Sequence, residues 1–365
     1  MKINCDQTDL SRFLQIVARA ISTKSTLPIL TGVLLEAKNN SLRCVATDLE
    51  IAVEVNVPNV QIEEEGTLVV PGKTFVEIIR HLPTGIVEIN NDGNSNMTSI
   101  SSKHSSFQLP LLPIEEFPML PELKEGNKFE INGGLLKEAI RHTIYATLAE
   151  DPRPFLSSIL WEISQDKLRL VATDVNRLAI RDIPINTQVQ GNALLPVRAL
   201  REIANIFGNN SEDSLEISLS ERVIFLTGAG ITFSSRLVEA QFPRYEQVIP
   251  REFNGSLIVG RIELIDALER SALVSNSIKM KVNNEEITIT AKEPDKGLSF
   301  EEIEAEISGI ALEIGFNVRF LLDFLKSVDS EKIIFKYIQE QKPALLQGEN
   351  RHDYQYIVMP LKLSV

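Results

Sequence analysis

Apolar residues recur along the chain with two different periods. Over residues 9–22 and 73–82 they follow the i, i+3, i+4 spacing of one helix face, which predicts amphipathic helices. Over residues 215–219 and 287–289 they alternate with polar residues, which predicts strands with one buried face. The turn-rich run NNDGNSN at 90–96 separates two such segments and favours a hairpin.

Whole blocks of this pattern are repeated at a spacing of 125 or 126 residues. The matched segments are 42–58 with 168–184, 68–82 with 194–207, and 105–120 with 233–248. A fainter third copy has a strand and helix at 254–276, a second helix at 312–328 and a closing strand at 354–363. Three matches in one order at one offset indicate internal duplication.

Each repeat contains a strand, a helix, several strands, a second helix and closing strands. This order predicts an α+β fold in which helices pack on one face of antiparallel sheet. The polar joints near LKEGNK and IPREFNG predict three similar domains, at residues 1–125, 126–250 and 251–365. The predicted helices lie at 9–22, 73–82, 135–148, 197–208, 261–275 and 318–328.

Composition restricts the class of protein. The 365 residues include 37 Lys and Arg against 50 Asp and Glu, a net charge of −13. There is no run of about 18 apolar residues that could span a membrane, and the polar start MKINCDQTDL leads us to expect no signal peptide. Cys5 and Cys44 are too few for a disulfide framework. We therefore expect a globular cytoplasmic protein.

The basic residues are concentrated on the predicted helices. Those six segments sum to +4, so the rest of the chain carries −17. One interpretation is an ordinary solvated helix surface with mixed charges. The other is that the helices together present a mildly basic surface to a polyanion, too sparse in charge for tight binding.

The sequence lacks the usual signatures of an enzyme site. It contains no phosphate-binding glycine loop, no HExxH and no paired histidine or cysteine ligands, so we expect no cofactor and no metal. The repeated Ala-Thr-Asp motif suggests a catalytic carboxylate pair of Asp48 and Asp174. The alternative is that each aspartate binds the backbone of its own turn.

Several motifs resemble those of the bacterial DNA polymerase sliding clamp family, the β subunits of the replicative polymerase III holoenzyme. They are STLPIL (25–30), ATDLE (46–50), FPMLP (117–121), RPFLSSILWE (153–162), ATDVNRLA (172–179), LVEAQFPRY (237–245), LEIGFNV (312–318) and YIVMPLKL (356–363). They occur in family order over essentially the whole chain. The resemblance implies a non-enzymatic processivity factor: a head-to-tail homodimeric ring whose helices surround double-stranded DNA without sequence specificity.

The resemblance also implies DNA-contacting positions. Lys24 and Lys73 match basic family positions, although a lone exposed lysine is usually only solvated. The loop 149–155 matches a DNA-facing loop, in which Glu150 and Pro154 replace the Gln and Tyr of family examples. Phe155 either stacks on a base or packs within the protein.

The resemblance further implies a pocket for short extended peptides of replicative and repair polymerases and of the clamp loader. An apolar slot with a flexible methionine suits that role, although the C-terminal segment is also an ordinary closing strand. Val175 and Asn176 replace the Gly-His of family examples, which predicts a narrower slot. The matching residues are Arg153, Leu156, Thr173, Val175, Arg177, Leu178, Pro243, Val248, Val358, Met359, Pro360 and Leu361.

For the dimer interface the resemblance indicates Phe107 and Leu109 facing Leu273 and Val274, with plain core packing as the alternative. Two other classes of function remain open at this point. One is a hydrolase that uses Asp48 or Asp174, and the other is a peptide-binding scaffold unrelated to DNA.

Overall fold

The structure is a computed structural model that describes residues 1–22, 26–93, 95–122, 127–149, 151–208, 214–283 and 286–362. The chain divides into two compact units, Met1–Gly134 with Asn205–Leu237 and Leu135–Ala204 with Val238–Val365. The α-helices within the described residues are α1 Gln7–Val17, α2 Gly72–His81, α3 Gly133–Ile144, α4 Val197–Ile206, α5 Arg261–Ala272 and α6 Val318–Ser327.

All six predicted helices are confirmed, with ends that differ by a few residues. The predicted helix 9–22 begins at Gln7, because the Asp6 carboxylate accepts hydrogen bonds from the N–H groups of Thr8 (2.8 Å) and Asp9 (3.2 Å). Its α-helical part ends at Val17 and continues as a 3₁₀ turn. None of the helices in the described ranges is long and apolar enough to cross a membrane.

The first unit contains two antiparallel sheets. Its strands are β1 Lys2–Asp6, β2 Gly32–Lys38, β3 Ser41–Thr47, β4 Ile51–Val57, β5 Gln61–Glu64, β6 Gly66–Pro71, β7 Ile86–Asn90, β8 Met97–Ser102, β9 Ser105–Pro110, β10 Asn127–Asn132, β15 Ser214–Leu219, β16 Val223–Gly228 and β17 Ile231–Arg236. The five-stranded sheet has the order β5-β1-β7-β8-β9, and the eight-stranded sheet has the order β10-β15-β16-β17-β4-β3-β2-β6. The predicted hairpin at 90–96 is confirmed, since it connects β7 to β8.

The second unit also contains two antiparallel sheets. Its strands are β11 Ser158–Ile163, β12 Lys167–Thr173, β13 Arg177–Pro184, β14 Gly191–Pro196, β18 Gly255–Gly260, β19 Ser277–Val282, β20 Glu286–Glu293, β21 Gly297–Glu304, β22 Glu306–Gly309, β23 Leu312–Asn317, β24 Lys332–Tyr337, β25 Ala344–Gly348 and β26 Tyr354–Val358. The nine-stranded sheet has the order β14-β11-β12-β13-β26-β25-β24-β18-β22, and the four-stranded sheet has the order β21-β20-β19-β23.

The strand register confirms the duplication. In β2–β3 Leu34 pairs with Val45, and in β11–β12 the residues 126 positions later, Leu160 and Val171, pair in the same way. Equivalent strands therefore pair in the same register in the two repeats. Residues 126 positions apart occupy the same place in their respective sheets.

Strands of neighbouring repeats share a sheet. In the first unit β17 pairs with β4, and in the second unit β26 pairs with β13. The middle repeat is therefore divided between the units: residues 126–134 and 205–237 belong to the first unit, and residues 135–204 and 238–250 belong to the second, so the two compact units do not coincide with the repeats. The domain bounds 1–125, 126–250 and 251–365 stay predictions.

Helices pack on sheet within each unit. Helix α1 packs on β3, β4 and α2, and α5 packs on β20, β21 and α6. The helix side chains at these contacts are apolar and buried, such as Leu10 and Leu14 of α1 and Leu264 and Leu268 of α5. The prediction of an α+β fold with helices against antiparallel sheet is therefore confirmed.

Candidate functional site

The turn between β12 and β13 is held by its own side chains. The Thr173 hydroxyl donates to the Arg177 carbonyl at 2.7 Å, and the Asp174 carboxylate accepts from the N–H groups of Asn176 and Arg177, each at 3.0 Å. Val175 sits at the tip with a φ of 79° and is 58% exposed. The turn therefore presents an apolar side chain to solvent.

The corresponding turn of the first repeat has the same bonds. The Thr47 hydroxyl donates to the Ile51 carbonyl at 2.7 Å, and the Asp48 carboxylate accepts from the N–H groups of Glu50 (3.0 Å) and Ile51 (2.9 Å). Leu49 occupies the tip with a φ of 76°. The interpretation of the repeated Ala-Thr-Asp motif as a backbone-binding turn is confirmed in both repeats.

Arg177 connects this turn to α6 and to the residue that follows α3, both in the second unit. Its guanidinium donates to the Asp174 carboxylate at 2.8 Å, to the Asp323 carboxylate of α6 at 2.5 Å and to the Tyr145 carbonyl at 2.6 Å. The guanidinium carbon also lies 4.4 Å from the centre of the Phe320 ring. With a side chain only 9% exposed, Arg177 fixes the position of the turn.

The C-terminal segment runs beside this turn. The Met359 N–H donates to the Asn176 carbonyl at 2.8 Å, and the Leu361 N–H donates to the Gly315 carbonyl of β23 at 2.8 Å. Val358 is fully buried, whereas Met359 and Leu361 keep 39% and 36% of their surface exposed. The backbone of this segment is fixed at Met359 and at Leu361, and the apolar side chains of both residues are partly exposed.

A third part of the site is the loop that follows residue 237. Phe242 packs edge to face against both Phe155 and Tyr245, and these rings cover a buried apolar cluster that includes Leu178. The Tyr245 hydroxyl donates to Glu162 at 2.5 Å, and burial raises the pKa of Tyr245. The loop is therefore anchored by aromatic packing.

The remaining predicted pocket residues differ in how exposed their side chains are. Leu156 and Leu178 are buried, Leu178 within the cluster covered by Phe242, and Pro243 and Val248 are exposed on the loop after residue 237. Arg153 is exposed and bonds Asp151 through its side chain and its backbone. That pairing lowers the pKa of Asp151 to about 2. Arg153 is therefore an exposed cation that is held by the neighbouring Asp151 carboxylate.

The predicted DNA-contacting residues have mixed surroundings. Lys24 and Glu150 lie outside the described residues, and Lys73 is exposed on the first turn of α2. Pro154 is exposed, but Phe155 is half-buried in the apolar cluster beside Phe242, as its packing alternative predicts.

The predicted interface residues also differ from one another. Phe107 is 42% exposed on β9, which is an edge strand, and Leu273 is 77% exposed at the end of α5. Val274 is half-buried, and Leu109 is buried within its own unit, which fits the core alternative for that residue.

A polar cluster in the second unit, with His142 buried, Glu138 half-buried and Asp329 exposed, offers the donors of a metal site. Donor atoms of Glu138, His142 and Asp329 lie within 4.8 Å of one another. Glu138 already pairs with Arg351 at 2.6 Å, and Asp329 pairs with Arg141 at 2.6 Å. Burial lowers the pKa of His142 to about 4. The adjacent guanidinium groups occupy the carboxylates and oppose a bound cation, so this cluster is structural.

Sequence reasoning missed several side chains that position the site. They are Tyr145, Phe320 and Asp323 around Arg177, and Phe242 and Tyr245 in the loop. Phe242 and Tyr245 belong to a repeated segment and were detectable from it, but the partners of Arg177 are up to 146 residues away and carry no local signal.

The chain matches sequence models of one protein family along almost its whole length. The models describe the N-terminal, central and C-terminal domains of the DNA polymerase III beta subunit, and they match residues 1–121, 130–244 and 246–362.

Curated proteins and solved structures give the same result. The beta sliding clamps of Staphylococcus epidermidis and Staphylococcus aureus are each 30% identical over 358 residues, covering 94% of both chains. The DNA polymerase sliding clamp of Bacillus subtilis superimposes with a TM-score of 0.96 at 29% identity. The DNA polymerase III subunit beta of Pseudomonas aeruginosa superimposes with 0.95 at 30% identity, and both matches cover the full length of both chains.

Proposed function

This chain belongs to the DNA polymerase III beta subunit family, and from that premise we propose that it is a DNA sliding clamp. The clamp encircles duplex DNA, slides along it and tethers polymerases for processive replication. It acts as a processivity factor without a catalytic site of its own, and its work on replicating DNA assigns it to the cytoplasm. The turn-bound Asp48 and Asp174 carboxylates argue against the alternative of a hydrolase.

The observation that carries the proposal is the exposure of basic side chains on the helices of an acidic chain. Arg12 and Arg19 of the first helical segment, Lys73 and Arg80 of α2, Arg141 of α3, Arg198 and Arg201 of α4, and Arg319 and Lys326 of α6 are all exposed. Such charges tolerate phosphates nearby, but several are already paired with carboxylates, as Arg80 is with Glu77. Weak, exchangeable phosphate contacts suit a protein that holds DNA by enclosure.

Helix geometry supports a ring of two subunits. Twelve helices at about 10 Å between axes give a circumference of roughly 120 Å and a bore of about 28 Å after subtracting the helix thickness. Six helices leave only about 9 Å by the same geometry. Because the two groove depths alone require a duplex wider than about 16 Å, one chain is too small and two are sufficient.

We place the dimer interface at the exposed β9 residue Phe107 of one subunit and at Leu273 of the other. Leu273→Asp should give a folded monomer in sedimentation velocity, because a buried charge opposes an apolar interface. Ile310→Asp, at another exposed apolar residue of the same unit, is the control and should remain dimeric. A dimer that survives Leu273→Asp contradicts the assignment.

The apolar surface around Val175, Met359 and Leu361 is the proposed site for peptides of polymerases and the clamp loader. A bound peptide can bury only the roughly one third of the Met359 and Leu361 surfaces that is still exposed. Each side chain therefore contributes about 0.5–1 kcal/mol to the free energy of peptide binding. Met359→Ala with Leu361→Ala should therefore weaken such a peptide about five- to thirtyfold in a fluorescence titration. Ile310→Ala is the matched control, and an unchanged affinity of the double variant rejects the site.

Retention on DNA tests the function itself. The clamp is loaded on a nicked circular plasmid with the clamp loader and ATP, and half of the sample is then cut once with a restriction enzyme. Gel filtration should show the clamp retained on circles and released from linear DNA, because only an open end lets a ring slide off. Equal retention on both forms contradicts enclosure, and loss from both contradicts DNA tethering.

A further inference from the structure

The first unit contains a cavity of about 670 Å³ beneath the segment 114–122. Its floor is the face of the eight-stranded sheet opposite the helices. Leu34 and Glu36 of β2 line it, whereas Val33 and Leu35, which alternate with them, are fully buried on the other face.

The repeat explains why the cavity exists. At this position in the second unit, large apolar side chains form a packed cluster. The strand pairings identify the equivalent positions in the first unit, and three of them carry smaller or charged residues. Ala52 stands in place of Leu178, Glu54 in place of Ile180 and Ser234 in place of Ile357. The floor is therefore lower and more polar than its counterpart.

The segment above the sheet also carries a smaller side chain in the first unit than in the second. In the second unit Tyr245 is 4% exposed, packs on Phe242 and bonds Glu162. The residue 125 positions before Tyr245 is Leu120, which has no hydroxyl and is shorter. Glu36, the counterpart of Glu162, therefore faces the cavity instead of an aromatic side chain.

The charges around the cavity are unbalanced. Its lining contains four carboxylates and one guanidinium, that of Arg43. Arg43 bonds Glu36 at 3.0 Å and Glu54 at 2.7 Å, which leaves one excess negative charge within that group of three. Glu54 is 27% exposed at its side chain, so a cation entering the cavity can reach it.

The backbone above the cavity is available for pairing. In the described part of this segment, the N–H groups of Met119, Leu120 and Glu122 donate no hydrogen bond, and Met119 is 96% exposed. An extended peptide laid along such a segment satisfies backbone groups of both chains, and its alternate side chains enter the cavity. Phe117 and Phe225 provide apolar contacts for those side chains.

We propose that this cavity is a second binding site for extended peptides, one that selects a lysine or arginine flanked by apolar residues. The cation pairs with Glu54 and Glu36, and the flanking side chains pack on the apolar lining. The proposal depends on the cavity alone and does not require DNA enclosure or the site around Met359.

Binding is tested with the full chain carrying Met359→Ala and Leu361→Ala, which weakens the other site. The probes are fluorescein-labelled Ala-Leu-Lys-Leu-Phe and the same peptide with glutamate in place of lysine, followed by fluorescence anisotropy. We expect the lysine peptide to bind at least tenfold more tightly. Adding Glu54→Gln should lower the affinity for the lysine peptide about tenfold. Glu115→Gln, on the segment 114–122 but outside the cavity lining, should leave that affinity unchanged.

Leu120→Tyr provides an independent variant, because it restores the aromatic residue that fills this position in the second unit. It should abolish binding of the lysine peptide, with the fold checked by circular dichroism. No binding of either peptide, equal binding of both, or undiminished binding by the Leu120→Tyr chain overturns the proposal. None of these outcomes affects the DNA retention assay, so the two proposals fail separately.

Discussion

Replacement of Arg177 by methionine tests whether this residue holds the candidate site together. The Arg177 and Asp174 side chains are 9% and 3% exposed, so their pairing is a buried one. Methionine keeps an unbranched apolar stem beside Phe320, which limits the loss of packing. It leaves the Asp174 carboxylate without its cation and the Tyr145 carbonyl without its donor.

Removing one partner of a buried ion pair costs about 3–5 kcal/mol, and we expect Arg177→Met to fall within that range. Arg177 also pairs with Asp323, whose side chain is 41% exposed. Asp323→Asn should therefore lower the free energy of unfolding by less than about 1 kcal/mol. Arg177→Met combined with Asp174→Asn should cost less than the sum of the two single changes, because no buried charge is then left unpaired.

The assay is urea unfolding followed by tryptophan fluorescence. Trp161 is the single tryptophan of the chain and is fully buried in β11, so its emission reports on the second unit. Arg153→Met is the control, since Arg153 makes a similar pair with Asp151 at a side chain that is 52% exposed. If Arg177→Met lowers the free energy of unfolding by less than about 1 kcal/mol, or by no more than Arg153→Met does, Arg177 does not hold the site together through a buried ion pair.

Three further predictions concern single residues. Burial lowers the pKa of His142 to about 4, against about 6.5 in the unfolded chain, so the unfolded state alone binds this proton between those pH values. Stability should therefore fall by up to about 3 kcal/mol as pH drops from 6.5 to 4, and the difference from His142→Asn in pH-dependent urea unfolding measures this contribution. Asp6→Ala should destabilise the first unit by about 1 kcal/mol through the loss of the α1 cap, and an unchanged melting temperature in calorimetry counts against it. Val175→Gly should stabilise the chain by about 0.5–1 kcal/mol, because a β-branched residue at a φ of 79° is strained; a lower urea midpoint than that of the parent chain contradicts this.

Local patterns in the sequence determined the elements and the duplication. Helical spacing located α1 and α2, correspondence between the repeats located the other helices, and alternation with turn residues located hairpins such as β7–β8. These features depend on residues close in the chain, whose periodicity is visible in the sequence. The turns at Asp48 and Asp174 were predictable for the same reason, since a short polar side chain binds the backbone two or three residues away.

Only the tertiary structure determined which strands of different repeats share a sheet and which side chains meet. The pairings of β17 with β4 and of β26 with β13 join segments far apart in the chain, and so does the contact of Arg177 with Asp323. Two sheet faces with the same pattern also differ in content: one is packed and the other contains a cavity. Backbone pairing fixes the register of both faces, but the volume and charge of the opposing side chains decide whether the space between them is filled.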